Sequence, residues 1–305
     1  MDVIASPTPI ALFDAITVLS LVLLLAIVAT AYFSPYVQRR KVWYGQKVQW
    51  ITYCVSYMLL FGFQYREPPR ALCLLQSNLI YACPPACAVA SACFMIDFYV
   101  SLGPLHQMHI RNPRRLELLL IILPWLTLAL SALHVALFVV FSSEEIRSTQ
   151  WSPGNPFCHI PHMEPTIVSA TLVILAAFIA LYFEVQSGMI LYSNRLEFRH
   201  LKYKAIQGYL SLYIRSAILT IGMIIAIAIS VYSVSCNKSS LGSWSLALPF
   251  MPMFVAVVFG SQTDIIRAWL FWHKRVPEDE DLTLMSQISI TLEAVSVRNS
   301  AHFVT

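Results

Sequence analysis

Apolar stretches long enough to cross a bilayer recur along almost the whole chain, and nothing else in the sequence narrows the possible folds as much. A helix spanning hydrocarbon needs about 17–25 predominantly apolar residues. Seven such runs are readable, at roughly 12–33, 48–64, 72–101, 116–141, 165–192, 207–234 and 243–262. Of 305 residues, 58% are hydrophobic and 12% charged, whereas a soluble domain carries about a quarter charged residues. The runs are continuous rather than alternating, which favours helices over a barrel. The expected fold class is an all-α membrane protein, a seven-transmembrane-helix bundle. Its parts are a short extracellular N-terminus at 1–11, the bundle with a short amphipathic inner helix at 12–275, and a disordered cytoplasmic tail at 276–305. No internal repeat is evident, which argues against a transporter made of duplicated halves.

Orientation follows from Lys and Arg near the ends of spans. One set of connections carries fifteen: Arg39, Arg40, Lys41, Lys47, Arg111, Arg114, Arg115, Arg195, Arg199, Lys202, Lys204, Arg267, Lys274, Arg275 and Arg298. The other set carries four, Arg66, Arg70, Arg147 and Lys238. This bias predicts a multi-pass plasma-membrane protein with its N-terminus extracellular and its C-terminus cytoplasmic. The opening MDVIASPTPIALFD lacks a basic leading region and QRRK follows its apolar run, so it reads as a first span rather than a cleaved signal peptide. The net charge of +4 is accounted for by the inner connections and does not suggest nucleic acid.

Ionisable groups inside a membrane usually mark a pair, a pathway or a switch. Asp14 lies near the outer end of the first span, where snorkelling to water suffices. Asp97, Glu184 and Arg215 sit at similar depth near the inner ends of spans three, five and six. Either they form an inner switch cluster with Arg215 between two carboxylates, or each reaches water separately. Only His134 of eight histidines falls within a span, so no set of side chains suggests metal-assisted intramembrane catalysis. No enzyme activity and no cofactor are expected.

The cysteines divide by position. Cys73 opens span three on the outer side, Cys158 lies in the long outer loop, and Cys236 follows span six. In an oxidising setting Cys73–Cys158 is a plausible bridge and Cys73–Cys236 a competing one. Cys83 and Cys87 flank Pro84 and Pro85 at mid-span, where the prolines withhold two backbone donors and predict a kink. Small neighbours from Ala82 to Ala92 suit close helix packing better than metal or redox chemistry. Asn237-Lys-Ser is a glycosylation sequon, residues 264–275 have the composition of an amphipathic helix, and the acidic, Ser/Thr-rich tail suits phosphorylation.

Seven spans, a cysteine opening span three and another in the second outer loop together resemble the G protein-coupled receptors. In rhodopsin-like members an acidic residue of an Asp/Glu-Arg-Tyr motif follows the span-three cysteine by 24 residues; here Asp97 follows Cys73 by 24 in the text Asp97-Phe98-Tyr99. Pro249 and Pro252 in span seven and the amphipathic stretch after it fit as well. Phe98 replaces the motif's arginine, FGSQTDII at 259–266 replaces Asn-Pro-x-x-Tyr, span six has no proline, and span seven has no lysine to hold retinal. The chain therefore resembles a divergent receptor, of the orphan kind that fungi carry in numbers. The resemblance implies signalling to a heterotrimeric G protein, with a small extracellular ligand in an outer cavity lined by Gln76, Ile80, Tyr81, Tyr232, Trp244 and Phe250. It further implies G-protein contact through Arg111, Arg114, Arg115, Arg199, Lys202 and Lys204, with Arg215 supplying the charge missing at Phe98. A transporter or channel for a small solute is the alternative, and an intramembrane lipid hydrolase the weaker one. Replacing Cys83 and Cys87 together with alanine should leave signalling largely intact; abolished signalling in a well-expressed double variant would overturn the packing role given to them.

Overall fold

The chain runs through helix after helix in the computed structural model, which describes residues 7–34, 37, 39–63, 66–102, 112–141, 157–160, 162–193, 203–235 and 248–269. Among the described residues the helices are α1 (Pro7–Phe33), α2 (Lys41–Met58), α3 (Arg70–Ser101), α4 (Pro113–Phe141), α5 (Glu164–Ser193), α6 (Tyr203–Ser235), α7 (Phe250–Gly260) and α8 (Thr263–Trp269). Their boundaries follow local chemistry. Proline opens α4 and occupies the second position of α5, where a missing backbone N–H leaves no intrahelical bond unmade. Glu164 adds negative charge to the first turn of α5. After α2 the chain turns through Leu59–Phe63, and Gly62 takes a φ of 88° that side-chain-bearing residues avoid.

The helices α1, α2, α3, α5, α6 and α7 pack in a closed ring, each against the next and α7 back against α1, while α4 lies outside against α3 and α2. α1, α3, α4, α5 and α6 are each long and apolar enough to cross a membrane. Large apolar side chains are exposed along them, as Leu118, Ile122, Leu126, Leu130 and Leu133 are on α4. An outward apolar surface of that extent is unsuited to water, and the architecture is that of a multi-pass membrane protein.

Two helices depart from the sequence expectation. The second apolar run, read at 48–64, is shifted: α2 begins at Lys41 and ends at Met58, and it buries Gln46, Lys47 and Gln49. Lys47, expected in a connection, is fully enclosed inside the helix. Hydropathy misplaces this helix because its polar residues face the protein and not the lipid. The seventh run, read at 243–262, holds only the 11 residues of α7 among those described. α3 continues through Pro84 and Pro85 as one helix of 32 residues.

Small residues fix how closely the ring closes. A methyl group added at Gly188 on α5 would meet the Tyr213 hydroxyl of α6 at 2.4 Å, and one at Gly222 on α6 would meet the Phe254 ring of α7 at 2.6 Å.

One end of the bundle is closed covalently. Cys73 at the start of α3 is bridged to Cys158, with Cα atoms 5.5 Å apart. The Cys158 N–H donates to Gln76 Oε1 at 3.0 Å, and Gln76 Nε2 donates to the Tyr57 carbonyl at 3.3 Å. The Ile160 N–H donates to the Tyr81 hydroxyl at 3.4 Å. Phe157 packs against Phe13 and Tyr57. The segment at 157–160 therefore sits on α1, α2 and α3 together. Burial pushes the His159 imidazole below its ordinary range. The competing partner Cys236 lies outside the described residues. Cys158→Ser should cost about 2–5 kcal/mol of stability, read as a lower unfolding midpoint in detergent micelles. Non-reducing peptide mapping that finds Cys73 joined to Cys236 would contradict the pairing.

Candidate functional site

Opposite the disulfide, at the end carrying Arg39, Arg40, Arg114 and Arg115, the ring is closed by a polar network. Its centre is the corner where α7 stops and α8 begins. A helix leaves its last carbonyls without intrahelical donors; at the end of α7 the Ser261 hydroxyl donates to the Val258 carbonyl at 3.0 Å and the Gln262 N–H to the Phe259 carbonyl at 3.3 Å. The Arg215 guanidinium of α6 adds to these: it donates to the Val258 carbonyl, to Ser261 Oγ at 2.6 Å and to the Ser261 carbonyl at 2.8 Å. Arg215 Nε also bonds Ser211 Oγ at 3.2 Å, one turn back on its own helix. A cation at a helix C-terminus is favoured by the helix dipole as well.

Arg39, in the α1–α2 connection, holds the other side of the corner. It donates to Gln262 Oε1 at 2.6 Å and forms an ion pair with Asp264 in the first turn of α8. Its guanidinium also lies 5.8 Å from the centre of the Trp43 ring. Asp264 accepts from the Ile265 N–H at 3.1 Å, and Trp269 Nε1 donates 2.7 Å to Thr30 Oγ1 on α1. Ile265 is fully buried, while Ile266, Arg267 and Trp269 are exposed. The rest of the stretch read as amphipathic, 270–275, lies outside the described residues.

The expected inner cluster does not come together. Asp97 pairs with Arg40 at 3.0 Å, and no ion pair joins Arg215 to Asp97 or Glu184 among the described residues. Arg215 instead faces α7, the next helix in the ring, whose Val258 carbonyl lies within its reach. Glu184 is buried on α5, and neither carboxylate oxygen closes a hydrogen bond there. Phe98, at the position where the resemblance calls for arginine, is buried and packs 6.4 Å from the Tyr209 ring of α6. The α3–α6 contact at this end is therefore aromatic rather than ionic.

A second cation escaped the sequence reading because it was counted with the connections. Lys47 Nζ lies 3.0 Å from the centre of the Phe259 ring and 5.3 Å from that of Trp43, and donates to Gln46 Oε1 at 2.9 Å. Gln46 in turn donates to Ser91 of α3 at 3.3 Å. This ammonium joins α2 to α7 with no ion pair to a carboxylate among the described residues. The one signal was its spacing: Trp43, Gln46, Lys47 and Trp50 share a helical face.

The residues assigned to an outer cavity separate. Gln76 and Ile80 are buried in the packing of α3, and Tyr81 receives the Ile160 bond. Phe250 is half exposed at the start of α7. Tyr232 lies in α6 but its side chain is outside the described residues, as is Trp244 entirely. A narrow crevice beside Tyr81, between α3, α4 and α5, is lined by Ser131, His134 and Ser169. Of the expected G-protein contacts, Arg114 and Arg115 are exposed at the start of α4. Arg111, Arg199 and Lys202 lie outside the described residues, as do the Lys204 side chain, the Asn237 sequon and the tail. Cys83 and Cys87 are buried free thiols, and Cys87 Sγ donates to the Gln49 carbonyl at 3.4 Å.

Lys47 sets two effects against each other. Burying an ammonium costs several kcal/mol, and a desolvated cation–π contact returns about 2 kcal/mol or more. Lys47→Met keeps the length and removes the charge, and should be neutral or up to about 4 kcal/mol more stable. A clearly lower unfolding midpoint would mean that the aromatic faces outweigh desolvation. Against protein-family models and against curated proteins, the chain matches none.

Proposed function

We propose that this chain is a seven-helix plasma-membrane receptor, N-terminus outside, that binds a small extracellular ligand among the outer halves of its helices and signals to a heterotrimeric G protein. The observation that carries this reading is the contrast between the two ends of the ring. One end is tied by the Cys73–Cys158 disulfide. The other is held by Arg215, Arg39 and Arg40 through hydrogen bonds and ion pairs, with ring contacts beside them and no disulfide among the described residues. Covalent closure resists thermal motion, whereas charge-assisted bonds at a partly hydrated end separate and re-form readily. A ligand that favours an outward position of α6 therefore has one set of polar contacts to α7 and α8 to break, those of Arg215, along with the Phe98–Tyr209 ring contact. Their release leaves the Val258 carbonyl to the Ser261 hydroxyl alone, frees the Ser261 carbonyl and opens the space beside Phe98 and Tyr209. In this scheme Arg215 restrains α6 by gripping α7, and Asp97 separately restrains the α1–α2 connection through Arg40.

The test is nucleotide exchange on G proteins in membranes expressing the chain, screened against peptides, lipids and small metabolites. Arg215→Ala should raise basal exchange by about ten-fold, the equivalent of losing one charge-assisted bond of about 1.5 kcal/mol. Asp97→Asn, which leaves Arg40 half exposed to water, should raise it less. Wild-type basal and stimulated output in both variants would sink the mechanism. Coupled uptake of a solute, with no exchange on any G protein, would replace the receptor reading with a transporter.

A further inference from the structure

We infer that the seam between α5 and α6 holds a binding site for a small monovalent cation, with Glu184 as its charged ligand. Glu184 is 5% exposed, and neither of its carboxylate oxygens closes a hydrogen bond. Among the described residues no basic group forms an ion pair with it. The Thr220 hydroxyl of α6, itself 3% exposed, lies beside the carboxylate, and the Tyr213 phenol is within its electrostatic reach. A buried carboxylate with no ion pair among the described residues, and the Thr220 hydroxyl as its neighbouring donor, is costly enough that such groups are found paired or on a metal.

Hydroxyl groups share helix faces with Glu184 and Thr220. On α5, Glu184, Ser187 and Gly188 fall on one face at spacings of three and four; on α6, Tyr213, Ser216 and Thr220 do the same. The two faces meet where Gly188 admits the Tyr213 hydroxyl. Ser187 and Ser216 are buried and donate their hydroxyl hydrogens to the carbonyls of Phe183 and Tyr213, at 2.7 and 2.8 Å. Their oxygens keep lone pairs free to accept. One carboxylate with neutral hydroxyls is a hard oxygen set, suited to alkali or alkaline-earth ions rather than to zinc or copper. Charge then selects among these: a single negative charge neutralises a monovalent ion, while a divalent one would leave a net positive charge buried. Sodium is the probe of choice. The inference does not depend on the receptor reading.

The experiment measures the unfolding midpoint of the full chain in nanodiscs, in sodium chloride against N-methylglucamine chloride at matched ionic strength. Sodium at about ten times its dissociation constant should raise the midpoint by about 2–4 °C. Glu184→Gln should fold, keep its midpoint in N-methylglucamine and lose the response to sodium. Thr220→Val should shift the half-saturating sodium concentration upward by about ten-fold. An unchanged sodium response in Glu184→Gln overturns the site, and so does a wild-type midpoint indifferent to sodium. A midpoint indifferent to sodium but dependent on pH, with that dependence lost in Glu184→Gln, would assign the seam a protonated carboxyl instead of a cation.

Discussion

Close approach along the middle of α3 is the constraint on which the rest of the structure depends. Ala82, Cys83, Ala86, Cys87, Ala88, Ala90, Ser91, Ala92 and Cys93 are all nearly or fully buried. Where both lipid and protein interior are apolar, helices gain little from hydrophobic burial against one another and associate through van der Waals contact and hydrogen bonds. Side chains this small let α2, α4 and α5 all reach α3 at short range. α1, α6 and α7 complete the ring through α2 and α5. Among the ring contacts of the described residues, α6 and α7 meet α3 only through Tyr209 against Phe98 and Phe259 against Phe94.

That geometry explains where the polar atoms go. α2 presents Gln46 and Lys47 inward to Ser91 of α3 and the Phe259 ring of α7, while the buried Gln49 side chain closes no hydrogen bond and its backbone carbonyl accepts from the Cys87 thiol. The carbonyl end of α7 lies at the bundle's edge, where Ser261 is exposed, and Arg215 reaches it from α6. Each of these groups would be expensive left unpaired in an apolar surround. The polar network is thus a consequence of helix ends and helix lengths as much as of the charges themselves.

The two ends consequently differ in kind. At one, the bridge from Cys73 to Cys158 and the bonds of Gln76 hold the loop segment onto three helices. At the other, arginines from the α1–α2 connection and from α6 converge on the α7–α8 corner from opposite sides. Aromatic contact between Phe98 and Tyr209 takes the place of an ionic tie between α3 and α6, so the charge that restrains α6 acts on α7. Between them, Glu184 in the seam of α5 and α6 is a separate polar feature, with no ion pair to either end among the described residues.

The sequence by itself determined the class of this protein, because run length and the scarcity of charge leave few ways to satisfy a backbone except by helices. It also marked the small-residue stretch of α3, the basic end, and Cys73 and Cys158 as one of two possible bridges. Partner choice was decided only by the tertiary structure. Asp97 and Arg215 were recognisable as polar groups at one depth, yet which helix each faces depends on rotation about axes that are apolar nearly all round. On α1, α4 and α5 lipid and core demand the same residue types, so periodicity carries no sign of the inward face. α2 was misplaced for the opposite reason: its polar residues point to neighbours thirty to two hundred positions away in the chain, and only packing brings Lys47 to Phe259 and Arg215 to Ser261.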